Sequence, residues 1–256
     1  MTHGKDAETK RGRRTGGRER RDPNAKPTGP AYIKRVIPTY DIMGEESLLK
    51  IEATADRILA EVGLDIRDDD EALALFKKSG AKVDGMRVRF EPGHLQEVLK
   101  TAPQEFTQHA RNPANSVQIG GKSVVFAPAY GSPFVMDLDR GRRFGTLEDF
   151  QNFIKLAQSS PNFHHSGGTI CEPTDVPVNK RHLDMLLAHM TLSDKPFMGS
   201  VTEPSRAEDS VEMAKILFGS DFVDQNTVMT SLININSPMT FDGIMMGALE
   251  VYAKAN

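Results

Sequence analysis

The feature that most restricts the fold is a rhythm. From Ser123 onward, short apolar, β-prone runs give way four times to amphipathic helical patterns: SVVFAPAY to TLEDFQNFIKLAQSS, FHHSGGTICEP to VNKRHLDMLLAHMTLSD, KPFMGSVTE to SRAEDSVEMAKILFG, and NTVMTSLININSP to TFDGIMMGALEVYAKAN. Each run is about 6–9 residues and the repeat roughly 35, which predicts parallel strands joined by covering helices through right-handed crossovers. Thr146 with Glu148 and Asp149, and Ser205 with Glu208, read as helix N-termini. An open doubly wound sheet and part of a closed barrel both accept four such units. The Gly-x-Gly-x-x-Gly turn of a dinucleotide-binding sheet is missing. Instead, small or polar residues stand at the carboxyl end of each run: Tyr130, Gly131 and Ser132; Thr169, Cys171 and Glu172; Ser200, Thr202 and Glu203; Asn234, Asn236 and Ser237. In a barrel these positions meet on the one face where catalysis is built. The expected fold is α/β: a partial (β/α)8 (TIM) barrel of about four βα units over residues 123–256, its first half.

Residues 31–122 predict a cap of helices and hairpins. Leu48, Leu49, Ile51, Ala55, Ile58, Leu59 and Val62 recur at helical spacing up to Gly63, a second helix spans Asp69 to Lys78, and a third follows Pro92. AKVDGMRVRF reads as a hairpin around Asp84-Gly85, and FTQHAR, NSVQIGG and KSVVFAP as short β pieces with a turn at Gly120-Gly121. Residues 1–30 form a basic tail, with nine Lys/Arg against four Asp/Glu up to Lys26, inside a chain of net charge −3. Nearly empty of apolar residues, the tail cannot offset its ordering entropy and is expected to be disordered and solvated. No nucleic-acid motif accompanies it, so no nucleic-acid partner is expected. No run approaches the roughly 18 apolar residues of a membrane span, and one cysteine, Cys171, excludes an intramolecular disulfide framework and fits a cytoplasmic protein.

GSPFVMDLDRGRR, EPTDVP and SDKPFMG, in that order, lie within the longer stretches YGSPFVMDLDRGRRFGTLEDF and SGGTICEPTDVPVNKRHLDMLLAHMTLSDKPFMGSV. With the upstream arm RGRRTGGRERR, they resemble the amino-terminal part of the trimethylamine:corrinoid methyltransferase family, which includes glycine betaine and related quaternary-amine demethylases. The resemblance runs from about Arg11 to Asn256. It implies a (β/α)8 barrel that moves a methyl group from a methylated amine to the Co(I) corrinoid of a separate partner protein, with no tightly bound cofactor of its own. Family members are about twice as long, so a fragment or a disrupted reading frame is expected, and the position that marks the pyrrolysine branch lies downstream of Asn256.

Attack by Co(I) on a methyl carbon asks the protein for positioning, desolvation and charge matching. A quaternary ammonium is held by aromatic faces and carboxylates, which makes Tyr130, Glu172 and Glu203 candidate substrate-binding residues. Asn234 and Asn236 alternate with Ile233 and Ile235 and would face a barrel interior together. Asp137, Arg140, Arg142 and Arg143 form a charged turn, solvated or docked on the corrinoid protein. His164 and His165 are neighbours on one strand and point to opposite faces, so no metal site is expected. Cys171 reads as a small buried thiol and the Met-rich helix GIMMGALEVYAKA as packing. Two alternatives remain open, a different TIM-barrel enzyme and a non-catalytic barrel remnant or partner-binding fragment, the latter because four parallel strands alone leave open edges. Homo-oligomerisation is likewise left open.

Overall fold

The computed structural model describes residues 33–255 and is a mixed α/β chain with several small sheets; the expected tail, residues 1–30, lies outside them. Strand β1 (Ile33–Lys34) is followed by α1 (Glu45–Glu61), β2 (Leu64–Ile66), α2 (Asp70–Lys78), β3 (Lys82–Asp84), β4 (Arg87–Arg89) and α3 (His94–Leu99). The predicted hairpin forms as β3 and β4, with β4 also antiparallel to β2. Asp69 caps α2, its carboxylate accepting from the Ala72 amide at 2.8 Å. After α1 the chain turns at Gly63, whose φ is +74° and where a Cβ would stand 2.2 Å from the Val88 carbonyl oxygen; only glycine fits there. Strands β5 (Glu105–Gln108) and β6 (Val117–Gly120) pair antiparallel, as the β-type pieces predict.

The first predicted barrel strand divides. Ser123–Val124 (β7) pairs antiparallel with β1, and the parallel array begins only at Phe126. From there four segments lie side by side in one direction. The Phe126 carbonyl accepts from the His164 and His165 amides, Gly131 donates to Thr169, and Glu172 donates to Ser132. Ser166 donates to Pro196 and Met198 to Gly167, and β10 (Phe197–Met198) pairs in parallel with β11 (Met229–Thr230). Among the described residues this array does not close into a barrel. Between the first segment and its helix α4 (Leu147–Ser159) stands an antiparallel hairpin, β8 (Phe134–Asp137) with β9 (Gly141–Phe144), where the repeat pattern placed only a connection. The second segment leads to α5 (Val178–Leu192) and the third to α6 (Pro204–Phe218) and the short α7 (Ser220–Val223).

The fourth unit departs furthest from expectation. After β11 the chain leaves the array, turns through Ser237–Pro238, and forms β12 (Thr240–Phe241), which pairs in parallel with β2 of the N-terminal sheet. Helix α8 (Gly243–Ala255) therefore starts from that sheet, and its Met246 is buried with Ile66, Ala72, Ala81 and Val88. The Met-rich helix is a packing helix, as its composition suggests. Thr146 and Asp149 make the predicted capping box of α4, whereas α6 is not capped by Ser205. Glu203 precedes it without a side-chain cap and Pro204 opens it, because the fixed φ of proline suits the first helical position.

The SDK of SDKPFMG is explained by hydrogen bonds. Lys195 Nζ donates to the carbonyls of Ala157, Ser160 and Phe163 at 2.7–2.8 Å, satisfying orphan acceptors where α4 ends. Asp194 accepts from Asn112, Asn115 and Gln158, and the Ser193 hydroxyl donates to Gln158 at 2.7 Å. Burial alone would raise the Asp194 carboxyl, but these bonds outweigh it and hold it below its ordinary value. Replacing Lys195 by Met keeps the stem and removes all three donors, so urea unfolding should show a loss of about 2–4 kcal/mol. An unchanged midpoint would mean that water replaces the ammonium at no cost.

Candidate active site

The parallel array brings the carboxyl ends of its first three segments together. Ser132 and Cys171 form a parallel bridge, and Gly199 donates to Thr230 at 2.9 Å. At these tips lies a small cavity of about 60 Å³, lined by Gly168, Thr169, Glu172, Ser200 and Thr202 from the segment ends and by Arg181, His182 and Arg206 from the helices that follow. Tyr130 stands next to it, 40% exposed. A Cβ at Gly168 would lie 2.8 Å from Tyr130 Cε2 and 2.9 Å from Met198 Cβ, so the missing side chain is what lets the ring lie against the segment.

Both carboxylates singled out from the sequence are ion-paired. Glu172 Oε1 accepts from Arg181 Nη1 at 2.6 Å, while the same guanidinium donates to the Val176 carbonyl through Nε and Nη2. Glu203 Oε2 lies 3.3 Å from Arg206 Nε, and Arg206 Nη1 donates to Thr202 Oγ1 at 2.8 Å. His182, 7% exposed, holds Asp209 Oδ2 at 2.7 Å through Nε2, and its Nδ1 is buried without a partner among the described residues. Arg181, Arg206 and His182 were not singled out from the sequence. The spacing Glu203-x-x-Arg206 at a helix start was the available signal.

The remaining sequence candidates lie elsewhere. Asn234 and Asn236 are exposed, because the extended run predicted there does not form a strand after Thr230. Asn236 Nδ2 instead donates to Asp242 at 2.6 Å, ahead of α8. His164 and His165 are both buried; Nδ1 of the first accepts from the Phe126 amide and Nδ1 of the second from the Gly167 amide. Burial pushes His165 down to about 3, so it stays neutral, and its Nε2 has no partner among the described residues. In the charged turn, Asp137 accepts from the Asp139 and Arg140 amides and from Arg143, and Arg143 pairs with Asp149 of the α4 capping box at 2.7 Å. Arg140 is exposed, and Arg142 lies 3.6 Å over the Phe134 ring. Asp137 and Arg143 thus hold hairpin to helix, while Arg140 and Arg142 face outward.

Comparison with known proteins places these features in a lineage. The profile of the trimethylamine methyltransferase family matches residues 9–256. A glycine betaine methyltransferase of Desulfitobacterium hafniense (strain Y51) is 47% identical over 222 residues, covering 86% of this chain and 46% of the relative. A proline betaine:corrinoid methyltransferase of Eubacterium limosum is 30% identical over 151 residues, 57% of this chain and 30% of that one. An L-carnitine:corrinoid methyltransferase of Eubacterium limosum is 29% identical over 182 residues, 64% of this chain and 36% of that one. The chain spans half or less of the length of these relatives.

Two outcomes follow from the electrostatics. Hydrogen bonds from Arg143, then from Thr146, hold the Asp149 carboxyl well below its ordinary range against the opposing effect of burial. A depressed carboxyl contributes stability that is complete above its unfolded value of about 3.9 and is lost as the pH falls toward the native value. Asp149→Asn should therefore lower stability at pH 7 and flatten its acid dependence below about pH 4, read by thermal melts across pH. Burial pushes the Cys171 thiol up to about 11, so iodoacetamide at pH 8 should label it only after unfolding. Fast labelling of the native chain would show the thiol to be accessible and ionised.

Proposed function

The chain belongs to the trimethylamine methyltransferase family, and from that premise we propose that it takes part in moving a methyl group from a quaternary amine of the betaine type to the cobalt(I) corrinoid of a partner protein. The observation that carries this reading is the 47% identity to a glycine betaine methyltransferase over 222 residues. The parallel order of the four segments supports reading residues 123–256 as the first four units of a (β/α)8 barrel, with Tyr130, Glu172 and Glu203 on its catalytic face.

The chemistry balances without a proton. Cobalt(I) of the acceptor supplies the electron pair for the new bond to carbon, the carbon–nitrogen pair stays on nitrogen, and a neutral tertiary amine leaves. The chain's residues therefore bind and orient. The Tyr130 face offers the ring quadrupole to the ammonium, and Glu172, whose Oε1 is bound by Arg181, sits at the same cavity with its side chain 44% exposed. Arg140, exposed although its Nε donates to Asp137 at 3.1 Å, and the exposed Arg142 over the Phe134 ring are the hairpin residues we assign to contact with the corrinoid protein. Cobalt(I) persists only in reducing surroundings, which fits a cytoplasmic location.

The reading is tested by adding glycine betaine, proline betaine, carnitine and trimethylamine to the chain with reduced corrinoid protein and following the cobalt absorbance, with binding measured in parallel by calorimetry. A quaternary amine should bind, and Tyr130→Ala should weaken it about tenfold, the loss expected for one partly desolvated cation–π contact. Absence of binding by every amine in the panel would overturn the reading.

A further inference from the structure

We infer that this chain pairs with a second copy of itself through α1 and the arm that precedes it, each copy laying its arm in an apolar groove of the other. The first observation is a helix turned the wrong way. Leu48, Ile51, Ala55, Ile58 and Val62 recur at alternating steps of three and four, the apolar seam of a two-stranded coiled coil. A surface helix normally turns such a stripe toward its core. Yet α1 has no buried residue, and the four large members of the stripe are 39–54% exposed. The side chains that tie α1 to the body are polar: Asp56 accepts from the Gly93 amide and from Gln96, which also donates to Glu52. The seam is left facing outward.

The second observation is the arm. After Arg35 donates to Lys122, residues 36–43 make no backbone hydrogen bond among the described residues, and Val36, Ile37, Tyr40 and Ile42 are 72–92% exposed. A contiguous exposed apolar run of this kind marks a contact surface. The third is a groove of about 580 Å³ between the end of α1 and helices α2, α3 and α8, walled by Leu59, Leu75, Leu95, Val98 and Leu249. Glu250 also lines it, and its Oε1 is buried without a partner among the described residues.

Geometry selects a second copy as the occupant. The chain's own arm is held at one end by β1 on β7 and at the other by the start of α1. Leu59, at the groove, lies about 21 Å further along the helix axis at 1.5 Å per residue. Two α1 helices crossed antiparallel about Ala55 put the start of one beside the end of the other, so each arm arrives at its partner's groove. The small Ala55 lets the helices approach at the crossing. Lys50, which meets only the exposed Glu46 within its own chain, then stands against Glu61 of the other copy, whereas a parallel pair would put Lys50 level with Lys50. Tyr40 becomes the donor for Glu250 Oε1. The contact is isologous and closed, each copy giving what it receives. Arm, seam and groove together supply about 25 residues per copy, the size of a standard stable interface.

Sedimentation equilibrium on the 256-residue chain should show a dimer of the 28.3 kDa monomer. Ile51→Lys combined with Ile58→Lys sets like charges against each other in the seam and should weaken the dimer at least about a hundredfold. Both positions are exposed, so the circular dichroism spectrum should not change. Tyr40→Ala should weaken association about tenfold. Ala55→Cys lies on the two-fold axis, so a short bismaleimide should join two chains through it, the native Cys171 being buried. If the double lysine variant loses its fold, Tyr40→Ala and the crosslink decide. A monomer at every concentration, a dimer undiminished in the folded lysine variant, or no crosslink through position 55 would overturn the inference.

Discussion

A parallel array this short has few ladder bonds, and one buried side chain decides how its second and third segments are held. His189 is 2% exposed, and burial lowers it to about 4, so the ring is neutral and carries one N–H. Nε2 faces the Gly168 carbonyl at 3.0 Å, which can only accept, so the proton must sit on Nε2. Nδ1 is then an acceptor, and the Ser166 hydroxyl at 2.9 Å must donate to it. The Pro196 carbonyl, also 2.9 Å from that hydroxyl, is already served by the Ser166 amide at 2.8 Å. Every polar group in this knot has a partner once the tautomer is fixed. The ring also lies edge-on to Phe150 and stacked on Phe197, tying α5 to the third segment. Gly168, whose bare backbone admits Tyr130, is held in place by the same histidine.

Charge at the tips is sorted by pairing. An unpaired carboxylate beside a cationic substrate gains attraction but carries a desolvation cost when the site is empty. Glu172 and Glu203 avoid that cost by meeting Arg181 and Arg206. The pairing leaves arginine N–H groups as the surplus polar capacity of the cavity, with the Tyr130 ring beside it.

The βα rhythm, the order and direction of the four segments, the α4 capping box and the burial of Cys171 were legible because each is written in residues close in sequence. The hairpin Phe134–Phe144 was harder to read: its apolar strand and basic strand follow the tip so closely that they resemble a loop. Its stability comes from Phe134 against Phe144 at 4.8 Å between ring centroids and from Arg143 reaching Asp149, neither of which has a periodic signature. The pairing of Thr240–Phe241 with Leu64–Ile66 spans about 175 residues, and no local pattern encodes a contact at that separation. The same holds for the site. Tyr130 and Glu172 follow from their places at strand ends, but Arg181 and Arg206 stand out only through what they face, and Asn234 and Asn236 lie exposed in a run that forms no strand after Thr230.

That long-range pairing has a functional consequence. Because β12 belongs to the N-terminal sheet, α8 is anchored at its start beside Ile66 and Val88, and it runs from there to the segment tips. Near its end Tyr252 donates to the Ser200 carbonyl at 2.6 Å, and burial raises its phenol to about 12, so it remains a donor at any physiological pH. Gly199 makes the approach possible, since a Cβ there would stand 2.3 Å from the Tyr252 oxygen and 2.7 Å from Met229 Sδ. Ser200 is in turn part of the cavity wall, and its amide is fixed by Ser210 of α6 at 3.1 Å. The N-terminal sheet therefore sets the position of a cavity residue through one rigid helix and one hydrogen bond. A shift in that sheet would move Ser200 relative to Arg206, because Ser210, which holds the Ser200 amide, also donates to the Arg206 carbonyl at 2.7 Å. The cap is in this sense a strut for the segment tips, and its packing shapes the cavity wall as much as the arginines do.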